Sequence, residues 1–564
     1  MNRACSKLYG STHLDLSRRR QPMSFASLRN LRTLLLLLAV ACSSGRTASA
    51  QGDPRPPRLL VFITVDQMRA DYFTRFGPQL TGGLKRIHDG GAVFTQGYQD
   101  HAITETAAGH ASTMSGRFPQ HTGIVKNSMG VVDPQSPLLT SRDAGASPFR
   151  FRGSVLIDWM RLADPRSRAL SISRKDRGAI LPFGRAKQPV FWFATSTAEF
   201  TTSTYYADTM PTWMREVNAR RVPQRAAGST WRPLLEASAY PERDSVAFEN
   251  GGHDFVFPHV LPDDAANIGD EFVATPRIDA LTLDAALAGL NALKLGEGPA
   301  PDVLAISLSA TDYVGHRYGM DSKELHDQIL QLDRSLGAFL DSLYRIRDSA
   351  SVIIALTGDH GMSPYPEAHF PGNDPNRGRA DVAPALTTFR KALLSRGVDS
   401  SAVQFESGLT TFDSSAFARA GVDRDSAARV LAAALRRVPG VLQVDLRAGL
   451  EQRAAAGNVF ARRWMHTIPA DLPATVMVTL KPYYYWASTR YPTHGSPHDY
   501  DANVPIIFYG APFARGTYTR FVRVVDMAPT LAVALHVTPT EPLDGRVLRE
   551  ALALTTRRPQ QGRR

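Results

Sequence analysis

The chain has 564 residues, 43% hydrophobic and 21% charged, proportions ordinary for a soluble globular protein with a large core. Its formal net charge of +12 is local: residues 1–50 hold eight Lys or Arg against one acid and supply +7 of it. No basic stripe interleaved with aromatics follows, which discounts nucleic acid as a partner.

In chain order, the first feature is a leader. Arg29 and Arg32 precede "TLLLLLAVA", and "ASA" ends at Ala50, which are the n-region, h-region and small-residue cleavage site of a secretory signal. The apolar run is too short to span a bilayer, and Met23 is an alternative start to Met1. Cys42 follows "AVA", so lipid attachment there is the competing reading. Ala39 stands where a lipobox usually carries a larger aliphatic residue, so cleavage after Ala50 is favoured. Both cysteines, Cys5 and Cys42, fall in this leader. The mature chain then has no thiol, disulfides and thiol catalysis are excluded, and any metal must be held by His and carboxylate. The expected location is periplasmic or secreted.

"RLLVFITVDQM" from Arg58 reads as a buried strand ending at Asp66, being short, apolar and β-branched. "RALSISRKDR" from Arg168 repeats the pattern weakly, and "PDVLAISLSATD" from Pro301 and "SVIIALTGDHG" from Ser351 strongly. "VPIIFYGAPF" from Val504 is a further strand. Helical periodicity marks "SVLIDWMRLA" from Ser154, "LHDQILQLDRSLGAFLDSLYRI" from Leu325, "RDSAARVLAAALRRV" from Arg424 and "VVDMAPTLAVAL" from Val524. Strands alternating with helices predict an α/β fold: a three-layer α/β/α sandwich around a mainly parallel sheet. The expected organisation is the leader 1–50, a catalytic core in three parts (51–184, 301–364 and 491–564, the last with an Arg-rich tail), and two insertions. One is cap-like (185–300) and one mixes helix and strand (365–490).

Sheets of this kind place chemistry beyond the carboxyl ends of their strands. Asp66, Asp312, Asp359 and His360 stand at such ends, His316 follows Asp312 by four residues, and His494 lies in the turn-rich "YPTHGSPHDYD". Singly, each has a plain reading: an aspartate after a strand is most often a helix cap, and a His-Gly pair is most often a surface turn. Together, three acids and three histidines supply the mixed nitrogen and oxygen ligation that suits zinc. Two such ions would acidify a hydroxyl bound to one of them. "ITETAAGHASTM" from Ile103 offers several hydroxyls and by itself reads only as a helix start.

The ordered motifs "VFITVDQMRADY", "TETAAGHASTMSGRFPQHTGIVKN", "SISRKDRGAI", "SLSATDYVGHRYG", "ALTGDHGM" and "THGSPHDYDANVPI" resemble the alkaline phosphatase superfamily. Within it they resemble most the type I phosphodiesterase/nucleotide pyrophosphatase branch and, there, the secreted PafA-type alkaline phosphatases. The resemblance runs from about Arg58 to Leu552. It implies a two-zinc phosphomonoesterase acting on small phosphate monoesters through a phosphothreonine intermediate. Asp312, His316 and His494 would hold one zinc. Asp66, Asp359 and His360 would hold the other, with Thr106 as nucleophile and ligand. Thr104 and His498 are the rival hydroxyl and rival ligand. Asn127 would hydrogen-bond a phosphoryl oxygen, and Lys175 and Arg177 match the Lys-x-Arg pair of the monoesterases. That pair suits a dianionic phosphoryl group, whereas a diester carries less charge. The alternative is a phosphodiesterase or nucleotide pyrophosphatase on the same scaffold. One departure stands out: many relatives have "GPGH" after the nucleophile, and this chain has "AAGH". A sulfatase would need a cysteine or serine where Thr106 stands.

Overall fold

The computed structural model describes residues 56–370, 372 and 378–553. The leader, both cysteines and the Arg-rich tail lie outside the described residues. Nine strands form the central sheet: β1 (Leu59–Val65), β2 (Ala92–Phe94), β3 (Ala169–Ser173), β4 (Val190–Ala194), β5 (Glu199–Thr201), β6 (Asp302–Leu308), β7 (Val352–Gly358), β8 (Ile506–Tyr509) and β9 (Gly516–Tyr518). Their order is β9-β2-β8-β7-β1-β6-β3-β4-β5. The five strands from β7 to β4 run parallel to one another. "VPIIFYGAPF", read in the sequence simply as another strand, forms β8, which runs antiparallel to both β7 and β2.

The near-continuous apolar runs of β1, β6 and β7 follow from this position, because a central parallel strand is covered on both faces. Along β1, Leu59, Val61, Ile63 and Val65 enter one core cluster, while Leu60 and Phe62 enter the other. The first cluster is closed by helices Arg277–Ala292 and Lys323–Ile346, which bury Leu290, Leu336 and Leu340. The second is closed by Leu156–Ala163 and Met527–Ala534, with Trp159 and Leu531 buried. The result is the three-layer sandwich with a mainly parallel centre.

The segment 185–300 is not all insertion. β4 and β5 extend the sheet, and helix Arg277–Ala292 packs on the core. The strand "VFWFA" is buried throughout, so its aromatic richness reflects core packing. Residues 365–490 contain a second, four-stranded sheet (Val403–Glu406, Leu409–Phe412, Ala474–Leu480 and Val441–Leu446, in that spatial order) with its own core around Phe389, Phe412 and Leu431. Three arginines hold this lobe's helix Val459–Thr467 and the nearby sheet to one buried acid. Arg462, Arg463 and Arg523 lie 3.0, 3.3 and 3.1 Å from Asp100.

Candidate metal centre

The register of the central strands brings the site together. Val65 pairs with both Leu308 and Gly358, so β1, β6 and β7 end flush. Asp66 and Asp359 therefore emerge side by side. Helix Ala310–Tyr318 begins just past β6 and carries Asp312 and His316 one turn apart. His360 follows Asp359 directly, and His494 arrives on the loop that leaves the second lobe. The helix Thr106–Thr113 lies across the end of β7, and its close approach depends on Gly109. A Cβ there would meet the Asp359 carbonyl oxygen at 2.1 Å.

Two groups result. Asp312, His316 and His494 offer ligand atoms within 4.8 Å of one another, and so do Asp66, Asp312 and His360. His316 Nε2 and His494 Nε2 lie 3.3 and 3.7 Å from Asp312 Oδ1, and His360 Nε2 lies 3.3 Å from Asp66 Oδ1. Asp312 thus touches both groups. Asp359 lies beside the second group, with Oδ2 3.6 Å from His360 Nε2. Its Oδ1 accepts the backbone N–H groups of Gln67 and His360, both at 3.0 Å, while Oδ2 lies 3.1 Å from His110 Nδ1, which is engaged by the Thr106 carbonyl.

Three observations make this set fit a cation. Each of the three histidines turns Nδ1 to a backbone carbonyl: His316 to Pro492 at 2.7 Å, His360 to Gly361 at 2.9 Å and His494 to Thr104 at 2.8 Å. That selects the tautomer and aims Nε2 at the carboxylates, as ligating histidines are held in metal sites. Second, both Asp66 oxygens and Asp359 Oδ2 are buried without an aligned hydrogen bond. Third, the centre carries three carboxylates against the single buried ammonium of Lys175, which is 2.7 Å from Asp66 and also pairs with Asp312. In the bare site a protonated His360 supplies part of the remaining counter-charge, a place that a bound cation would take.

The electrostatics of the bare site say the same. Burial and Asp312 push the Asp66 carboxyl up, but Lys175 and His360 pull it further down, to well below the usual range. Burial disfavours a charged His360, yet Asp359 and Asp66 raise it to about 9. Burial and the neighbouring His360 and His316 hold His494 well below the ordinary value, so it is a neutral donor. A metal ion would take the place of the His360 proton.

The cavity above these groups has a volume of about 540 Å³ and is lined by Thr106, Asn127, Lys175, Arg177, Asp312, His316 and His494, all named from the sequence. It is also lined by Asn250, Tyr313, Arg317 and Tyr491, which sequence reasoning missed. Tyr313 and Arg317 flank the Asp312-His316 pair on one short helix and were legible in principle. Asn250 and Tyr491 sit in irregular loops with no local signal. Gln67 was also missed: it turns with φ 65° and its amide donates to Asp312 Oδ1 at 3.1 Å. Thr106 Oγ1 faces His360 Nε2 at 3.4 Å and Lys175 Nζ at 3.5 Å. The rivals face elsewhere: Thr104 donates to the Ser496 carbonyl and His498 bonds the Leu480 carbonyl. His110 packs beneath, between the Thr106 carbonyl and Ser307 Oγ.

The solved structure of the alkaline phosphatase PafA is similar, with a TM-score of 0.80 at 26% identity over 89% of this chain and 100% of that one. The fold and the site at its strand ends define a hydrolase of the alkaline-phosphatase-like α/β class. More particularly, the chain belongs to the type I phosphodiesterase/nucleotide pyrophosphatase family, whose model matches residues 60–385. Among its relatives, alkaline phosphatase PhoV of Synechococcus elongatus is 28% identical over 93% of this chain and 100% of its own length. Alkaline phosphatase PhoK of a Sphingomonas species is 30% identical, covering 87% and 91%.

Proposed function

We propose that the protein is an exported alkaline phosphatase that hydrolyses small phosphate monoesters with two zinc ions and a Thr106 phosphoenzyme. The observation that carries the reading is the placement of Lys175 and Arg177 on the cavity that holds Thr106 and the acid–histidine cluster. Asp312, His316 and His494 would hold one ion, and Asp66, Asp359 and His360 the other. When bound, the ions supply electrophilic charge and acidify a hydroxyl.

The chain's own groups do the rest. Thr106 Oγ1 gives up its proton and attacks phosphorus in line, forming a new phosphorus–oxygen bond as the bond to the alcohol breaks, and the departing oxygen takes up a proton to leave as the alcohol. Water then attacks phosphorus from the vacated side, releasing phosphate and restoring the threonine hydroxyl. Lys175, which would be freed from Asp66 and Asp312 if metal ions took over their charge, and Arg177 would compensate the charge on the non-bridging oxygens. Arg177 has a buried Nε without a hydrogen-bond partner, and its ion pair with Asp176 is a loose 3.5 Å, with Asp66 and Asp312 acting on it from further off. It is therefore available to an anion. Asn127 donates from its amide nitrogen. The leader supports export, and its cleavage after Ala50 belongs to this proposal.

The family model is of phosphodiesterase type, so the decisive experiment compares kcat/KM on an aryl phosphate monoester and its methyl diester. The monoester should be preferred, and Lys175→Ala and Arg177→Ala should each cost roughly 100-fold on the monoester and much less on the diester. A diester preference that survives both substitutions would overturn the monoesterase reading.

A further inference from the structure

Glu105 directly precedes the Thr106 helix, at its N-cap position, yet its carboxylate makes no cap to that helix. It reaches outward: Oε2 accepts the Asn127 backbone N–H at 2.7 Å, and Oε1 accepts the Ser407 hydroxyl at 2.6 Å. The cap comes instead from Asn127, whose Oδ1 accepts the Ala107 N–H at 2.9 Å. A backbone N–H can only donate, so this bond settles which way the Asn127 amide faces. Its nitrogen is the atom left for the cavity that Asn127 lines.

The outer end of this chain of bonds lies in the second lobe. Strands Val403–Glu406 and Leu409–Phe412 are joined by Ser407-Gly408, with φ of 51° and 79°, as a primed two-residue hairpin turn requires. The tip grips the Asn127 turn from both sides. Ser407 holds Glu105, and Glu406 pairs with Lys126 and accepts the Ser128 hydroxyl at 3.0 Å. An anionic acceptor gives the stronger hydrogen bond to the Asn127 N–H, and a carboxylate at a helix N-terminus is favoured by the helix dipole. A carboxylate this close to an anionic substrate is an electrostatic cost, so it needs an offsetting role.

We propose that Glu105 is a positioning residue for Asn127, and that the Glu406-Ser407 turn of the second lobe completes its support. The amide nitrogen is thereby held toward a phosphoryl oxygen before substrate arrives. The inference rests on the phosphoryl-transfer reading above and adds to it that the lobe at 365–490 takes part in the chemistry through its hairpin tip.

A double-mutant cycle on the metal-loaded full-length enzyme tests it, using kcat/KM on whichever ester the wild type hydrolyses best. Asn127→Ala should lower kcat/KM by roughly 10–100-fold. Glu105→Ala should cost about 10-fold in the native background but under about 2-fold beside Asn127→Ala, since coupled residues are non-additive. Glu105→Gln keeps an acceptor for the Asn127 N–H and should recover most of the loss. Ser407→Ala, which leaves the carboxylate in place, should cost a few-fold with the same dependence on Asn127. Equal losses in both backgrounds would show a purely structural role and overturn the proposal. So would an Asn127→Ala enzyme of wild-type activity. A wild type that prefers diesters would count against the monoesterase reading alone, because the cycle is read as ratios on one substrate.

Discussion

At the scale of single residues, the chain buries ionisable groups both inside and outside the reaction centre. Glu249, 4% exposed, has a carboxyl oxygen with no hydrogen-bond partner. Burial, with Glu324 and Asp244 nearby, pushes its pKa from 4.5 up to about 9. The folded state therefore keeps a proton that the unfolded chain releases. Stability from this site is complete below about pH 4.5 and is lost as pH rises toward 9. Glu249→Gln mimics the protonated form. Its melting temperature should exceed that of the wild type by about 1 °C or more near pH 8.5 and by less near pH 5, as calorimetry at the two pH values would show. An equal shift at both would mean that Glu249 is not held protonated. The residue was invisible as a titrating group in the sequence, because only the fold brings Glu324 to it from another segment.

At the scale of elements, the helix Thr106–Thr113 shows how packing sets chemistry. Its residues are all buried and, His110 apart, small, and its Gly109 lies against the backbone of Asp359. The sequence departs from a "GPGH" pattern two residues earlier but keeps this glycine. Gly109→Ala must push helix and strand end apart, since the Asp359 carbonyl, backbone directly after β7, cannot yield like a flexible side chain. Overpacking of this kind costs about 1–3 kcal/mol. A shift of about 1 Å between Thr106 and the Asp359-His360 corner is enough for roughly a 100-fold loss in kcat. Near-wild-type kcat in this variant would show that the helix does not set the nucleophile's position. The elements themselves were legible from periodicity. β1, β6 and β7 are seven-residue strands, mostly apolar and buried throughout, and the helix over Lys323–Ile346 has a continuous buried stripe. The antiparallel direction of β8 and the membership of β4 in the sheet were not legible, since strand direction and neighbour depend on contacts from distant segments.

At the scale of the whole molecule, the centre is built from pieces spread over Asp66 to His494, with Asp312 shared between both ligand groups. A cation bound there links strand ends, a helix and the loop from the second lobe, so metal binding should stabilise the folded chain as well as enable turnover. Purified protein should contain about two zinc ions per chain, the count its two donor groups could hold. Chelation should abolish activity and lower the melting temperature, and added zinc should restore both. Elemental analysis and calorimetry read these outcomes. Full activity in protein stripped of metal would rule out a metal-dependent reaction.

The sequence by itself determined the strand ends and hence the residues standing on them, because short, buried, β-branched apolar runs mark where each strand stops. Residue type and order pointed to the layered fold and to six candidate ligands, whereas Thr106, Asn127, Lys175 and Arg177 were singled out only through the resemblance to a known family. The tertiary structure alone decided how they combine. It placed Asp312 between the two groups, drew Oδ1 of Asp359 to two backbone N–H groups while leaving Oδ2 unbonded, and tied Asn127 through Glu105 to a hairpin 302 residues away from that glutamate. Those relations are matters of distance and hydrogen-bond direction between segments far apart in the chain, and local patterns of residue type carry no record of them.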